Sequence, residues 1–180
     1  MTLRAALSFV TLQIGWFSCV LGAAHGLPWI GPVVVLVGLG WHLRAQPAAA
    51  RRSEVVVLAM AAGLGLVFDT AVLRLGGMTA RGATLSPPWL VALWPNVAAA
   101  TAPSGALARL SGRPFLAALV GALGGAAAYD GGARLGAIEL AGDRRTALAG
   151  IAIAWAVVLP ILLWLRRSCD PRVAERLGSR

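Results

Sequence analysis

The segment from about residue 55 to residue 75 sets the terms for the whole chain, because it is mostly apolar and its only charged residues are Asp69 and Arg74. A helix needs about 20 apolar residues to cross the hydrocarbon core of a bilayer. Five more apolar segments mark the chain, at about residues 5–24, 29–43, 89–102, 115–132 and 147–165. Inside lipid every backbone N–H and C=O must be satisfied internally, and a run of this length does so as a helix. The expected fold is therefore all-α, a polytopic membrane helix bundle of about six transmembrane helices. The first, third and sixth segments suffice for a span, whereas the second and fourth must borrow flanking residues or sit beneath neighbours. Composition agrees: 58% of the 180 residues are hydrophobic and 13% charged, against about half and a quarter in a soluble domain.

Proline and glycine punctuate the segments, with Gly26 and Pro28, Pro47, Pro87 and Pro88, and Pro114 at their ends. Pro95 and Pro160 fall inside segments and are expected to kink the fourth and sixth helices. All 16 basic residues are arginines, giving a net charge of +9. Such a charge raises the question of nucleic acid. Here, however, the arginines stand at the ends of apolar runs, where they act as topology signals. Six spans put Arg74, Arg81, Arg134, Arg144 and Arg145 on one side and the other eleven on the opposite side. That asymmetry predicts both termini in the cytoplasm. Residues 1–165 then form one transmembrane domain, and 166–180 a basic cytoplasmic tail suited to anionic lipid. Trp29 and Trp89 fit an aromatic belt at one interface, and Trp41 and Trp164 at the other.

Ionisable side chains within a bilayer are costly, so they point to function by default. At about 1.5 Å per residue, Asp69 lies roughly 20 Å up the third helix and Asn96 roughly 10 Å below the outer edge of the fourth. His25, Tyr129, Asp130 and Arg134 fall near the outer ends of their helices, while Gln13 and His42 stand apart. The expected candidate site is an outward-facing polar pocket of Asp69, His25, Tyr129, Asp130, Arg134 and Asn96. Asp130 and Arg134 are spaced i, i+4 as a helical ion pair. Asp69 needs a partner from another helix, and by depth Arg134 and His25 are nearest. Each residue has a structural alternative: an interhelical bond for Asp69, an interfacial ion pair for Asp130 and Arg134, a wetted turn for His25. Asn96, after Pro95, has the option of satisfying a carbonyl that the proline frees.

Small residues recur at helix-packing intervals: Gly22 and Gly26 in the first segment, and Gly121, Gly125, Gly132 and Gly136 along the fifth. Such stripes let backbones approach closely, within a bundle or between copies. The internal bundle is the expected use, and oligomeric state is left open. No phosphate-binding loop, HExxH or hydrolase nucleophile motif appears. Cys19 and Cys169 lie in no ligand spacing, and His25 and His42 mark opposite helix ends. Neither a metal nor a cofactor is expected.

The stretch "QIGWFSCVLGAAHGLPWIGP", residues 13–32, imitates the end of a cleavable signal. Its apolar core is long for one, so it is read as a retained span, a tight turn and the start of a second helix. Together with "VFDT", "LVALW" and "FLAALVGALGGAAAYDGGARLGAIEL", it resembles a bacterial inner-membrane family, domain of unknown function 2878. The resemblance runs from about residue 7 to residue 165. It implies a multi-pass protein of the bacterial cytoplasmic membrane and a lipid-linked role, and it supplies no active site. The expected function is a non-enzymatic bundle that binds or handles a lipid or small molecule, or supports an envelope or lipid-modification system. Membrane lipid is its partner and nucleic acid is not. An intramembrane lipid-modifying enzyme using Asp69, helped by His25 or Tyr129, is the alternative, and a small proton-coupled carrier a third.

Overall fold

The computed structural model describes residues 2–169. It contains six α-helices: α1 (Leu3–Ala24), α2 (Ile30–Ala45), α3 (Ala48–Arg74), α4 (Pro88–Ala100), α5 (Pro114–Arg134) and α6 (Arg144–Ser168). Each apolar segment of the sequence is a helix. Helices α1, α3, α5 and α6 are long and apolar enough to cross a membrane. Helix α2 has 16 residues and α4 only 13, so α4 is about 20 Å long against a hydrocarbon core of about 30 Å. The chain after α4 turns back on the C-terminal end of the helix. Leu107 N–H bonds the Ala100 carbonyl at 2.8 Å, and a 3₁₀ turn follows at Ala108–Leu110. Pro95 and Pro160 both sit inside continuous helices. Most of the basic tail, from residue 170 onward, lies outside the described residues.

The largest boundary difference is at α3, which begins seven residues before the apolar run. Hydropathy sees Arg51, Arg52 and Glu54 as an end. Arginine and glutamate are nevertheless good helix formers, and the backbone ladder continues through them.

The bundle is apolar on its outside. Phe9, Ile14, Val37, Val67, Leu123 and Ile153 are all exposed, as a surface facing lipid should be. Trp29, Trp41 and Trp164 are exposed too, as belt residues are. Trp89 corrects the expectation, because only 5% of it is exposed. It packs into the core between helices.

Helices α1, α3 and α5 end in the same way. In each, a glycine with positive φ (Gly26 at 79°, Gly76 at 73°, Gly136 at 83°) follows the last turn. The next residue donates back along the helix, Leu27 to Gly22, Gly77 to Val72 and Ala137 to Gly132. This is the Schellman turn, which satisfies helix carbonyls that have no partner of their own. Gly26 and Gly136 therefore serve turn geometry, not helix packing. Directly after two of these turns, β1 (Met78–Thr79) pairs antiparallel with β2 (Glu139–Leu140), Met78 opposite Leu140 and Thr79 opposite Glu139. Hydropathy carries no signal for this ladder, since two residues are too few for alternation to register.

Gly121 and Gly125 of the α5 stripe do bring two helices close inside one chain. A Cβ on Gly121 or Gly125 collides with the backbone or indole of Trp155 in α6. Gly31 likewise lets α2 lie on Cys19 of α1, whose side chain is wholly buried as filler. Gly22 leaves room for the Leu27 carbonyl of its own turn, whereas a Cβ on Gly132 would make only an ordinary contact with Ile138.

Helix α6 is capped by Asp143, whose Oδ2 accepts from the Thr146 N–H at 3.0 Å and the Thr146 hydroxyl at 2.8 Å. These bonds stabilise the carboxylate and hold Asp143 below its ordinary range. A folded pKa below the unfolded one means stability that is present above the usual carboxylate pKa and lost as pH falls through the folded value. Melting curves of the detergent-solubilised protein should show Asp143→Asn losing its disadvantage as the buffer is acidified through that window.

Candidate functional site

Helices α5 and α6 pack chiefly on each other, and α1 to α4 form a second unit. The seam between the two holds an apolar cleft and two polar clamps. The cleft has a volume of about 230 Å³. Its lining includes Trp16 and Val20 of α1 and Gly124 and Ala128 of α5. Trp94 of α4 and Trp155 of α6 also line it. On α5 the lining runs from Val120 to Gly132, about 18 Å at 1.5 Å per residue. Gln13 and Tyr129 are among the lining residues, and among the described residues no charged residue lines it.

The first clamp lies beside this cleft. Asp69 of α3 is completely buried. Its Oδ2 accepts a hydrogen bond from Trp94 Nε1 at 2.7 Å, and its Oδ1 accepts one from the Tyr129 hydroxyl. Trp94 can stand there because Gly65, one turn before Asp69, leaves its ring room: a Cβ on Gly65 collides with the indole. The Trp94 ring then stacks on Trp155 with centroids 5.0 Å apart and planes at 27°. Three helices thus converge on one carboxylate. The expected partners of Asp69 are not among its contacts. Arg134 bonds Asp130 at 2.7 Å, and Asp130 also takes Arg144 at 2.7 Å. His25 turns its Nδ1 to the Leu21 carbonyl of its own helix at 2.9 Å and is exposed. Neutral donors on facing helices replace the charge pair that depth alone suggests.

The second clamp sits at the other end of the seam. Glu54 of α3, 5% exposed, is held in two-pronged fashion by Arg166 of α6, with Nη1–Oε2 at 2.6 Å and Nη2–Oε1 at 2.8 Å. Arg166 also donates to Thr101 Oγ1 at 2.7 Å and the Ala98 carbonyl at 2.8 Å. His42 of α2 meets Glu54 Oε1 at 2.8 Å, and Gln46 lies 3.4 Å from His42 Nε2. Nothing in the apolar pattern marks this cluster, because Arg166 reads as one more topology arginine. The available signal is charge sign, since Glu54 is the one acid between Asp69 and the N-terminus.

Asn96 belongs to neither clamp. Its Nδ2 donates to the Leu12 carbonyl of α1 at 3.0 Å, with Gly15 leaving the space. It ties two helices together and leaves the carbonyl freed by Pro95 to other partners. The six candidate residues therefore divide into a buried Asp69–Tyr129 pair, an Asp130–Arg134 pair near the surface, and two separate side chains. A more polar cavity of about 390 Å³ lies at the opposite end of α1, lined by Arg4, Ser8, Thr11, His42, Gln46 and Asn96 among others. Among the described residues, no three His, Cys, Asp or Glu side chains gather as metal ligands.

With this geometry in place, the family model described as a protein of unknown function (DUF2878) matches residues 5–161. The chain belongs to this family. No curated protein and no solved structure matches it. The DUF2878 match takes in Asp69, Trp94, Tyr129 and Trp155, and so the whole first clamp and the cleft beside it. It stops before Arg166, which closes the second clamp.

Proposed function

We propose that this DUF2878 protein is a multi-pass membrane bundle, six spans with both termini cytoplasmic, that holds the chain of a membrane lipid in the cleft between α1 and α5. The observation that carries the reading is the cleft itself: apolar, about 18 Å long and lying in the seam where two helical units meet. Apolar concavities between helices are where bundles hold hydrophobic ligands. The resemblance to inner-membrane relatives supports a bacterial cytoplasmic membrane as its location, and the excess of arginine at one end supports the orientation.

Gly124 provides the test. It lines the cleft, and a Cβ there meets nothing within 4 Å, so a side chain can fill the cleft without disturbing α6. Gly124→Leu is expected to abolish photo-crosslinking of a diazirine-bearing 16-carbon chain to α5, at an unchanged melting temperature. Persistent crosslinking to residues 120–132 in that variant would refute the reading.

A second reading, lipid modification with Asp69 as base, draws support from Tyr129, which bonds Asp69 and is among the residues lining the cleft. It requires Asp69→Asn to change the lipid profile of the membrane while leaving chain binding intact. An identical lipid profile in the variant and the unaltered protein would dismiss it.

A further inference from the structure

We propose that the polar cavity at the N-terminal end of α1 holds the phosphate of an anionic phospholipid, a second lipid site independent of the cleft. Residues of α1, α2 and α4 line it, and its volume of about 390 Å³ falls within the usual range of ligand pockets, about 300–1,000 Å³. Basic pockets between helices at a membrane face are where such headgroups bind. The charge of the wall points to an anion. Arg4 lines the cavity, is exposed, and among the described residues its side chain makes no ion pair or hydrogen bond. No Asp or Glu is among the lining residues. Glu54, which bonds the lining residue His42, is already matched by the Arg166 guanidinium. Helix carbonyls, the other source of negative potential, are spent as well. Arg51 takes those of Arg44 and Gln46 at 3.4 and 3.3 Å, and the Leu107 N–H takes that of Ala100.

Two neutral lining residues keep donors in hand. Ser8 Oγ accepts from the Ala106 N–H at 3.3 Å, which leaves its own proton to give. His42 Nε2 donates to the Glu54 carboxylate, so it has no lone pair for the Gln46 amide 3.4 Å away. The Gln46 amide protons therefore remain unspent. With Arg4 these residues supply one charged and two neutral donors from α1 and α2, a set that suits the acceptor oxygens of a phosphate. The rim of the cavity decides between a lipid and a free anion. Leu7 and Trp41 both line it, and they are 57% and 75% exposed, so the cavity reaches the apolar outer surface of the bundle. A phospholipid sets its phosphate inside and its chains along that surface. A free phosphate leaves the apolar rim without a partner.

The test uses the full chain in nanodiscs of mixed phosphatidylglycerol and phosphatidylcholine, each lipid in turn carrying a diazirine on an acyl chain close to the glycerol. Labelling of the lining positions Leu7, Gly38 and Trp41 is divided by labelling of Leu119 and Ile161, exposed positions toward the same end of the bundle. This ratio removes differences in partition. The ratio for phosphatidylglycerol should exceed that for phosphatidylcholine about fivefold, the attraction of one arginine for an anionic headgroup. Arg4→Gln should abolish the excess. Arg52→Gln removes an exposed arginine at the same end but outside the lining, and should leave the excess in place. Equal ratios for the two lipids, or equal losses in the two variants, overturn the proposal. Competition by millimolar inorganic phosphate assigns the cavity to a free anion and overturns it as well. The lipid comparison is made on the unaltered chain, so it decides the question even where an Arg4 variant does not fold. None of these ratios involves the cleft, so the chain-binding reading stands or falls on its own test.

Discussion

Glu54→Ala is expected to destabilise the folded protein by about 3–5 kcal/mol, the cost of removing one partner from a buried ion pair. The substitution strands the Arg166 guanidinium, which keeps only Thr101 and the Ala98 carbonyl, and it frees His42 as well. A decrease of several degrees in melting temperature in detergent is the direct measurement. The diagnostic control is the double variant Glu54→Ala with Arg166→Met, which removes both charges. It should regain much of the loss, because paired charges replaced by apolar groups are often neutral or better. A double variant that loses the sum of what Glu54→Ala and Arg166→Met lose separately would show that Glu54 and Arg166 are not energetically coupled.

Gly65→Val should be comparably damaging for a steric reason. The added side chain displaces the Trp94 indole, and overpacking a filled site costs about 1–3 kcal/mol. Displacement also breaks the Trp94–Asp69 bond, and leaving a buried polar partner unsatisfied costs about 1–3 kcal/mol. Trp94 leaves its stack with Trp155, so tryptophan emission should shift to the red together with the fall in stability. By contrast, Gly63→Val, on the same helix, where a Cβ meets nothing within 4 Å, should leave both the emission and the melting temperature nearly unchanged. Similar losses at both positions would point to helix propensity, not to the seat of Trp94.

The helices are legible in the sequence because length and continuity of apolar runs report directly on backbone satisfaction in lipid. What joins the helices is much less legible. Asp69 stands out as a buried acid, yet its partners are an indole and a phenol. Such groups read as filler or belt until a facing helix places them. The close α5–α6 approach is visible in Gly121 and Gly125, whereas Gly65 carries no periodic signal, since one contact needs it and no stripe repeats it. Arg166 is hidden for the opposite reason: arginines at that end are common, and only the position of Glu54 separates the buried one from the rest. Gly26 and Gly136 match a packing spacing but answer to backbone dihedrals, and a spacing rule cannot tell those causes apart.

The β1–β2 ladder has a consequence for biogenesis. Thr79 is synthesised 60 residues before Glu139, its partner, so the ribosome delivers one half of the fastening long before the other. Asp69 likewise precedes Tyr129, and Glu54 precedes Arg166 by 112 positions. Each of these ties across the seam waits on the last third of the chain. A nascent protein arrested after α4 therefore presents an unpaired strand, an Asp69 held by Trp94 without Tyr129 and a Glu54 held by His42 without Arg166.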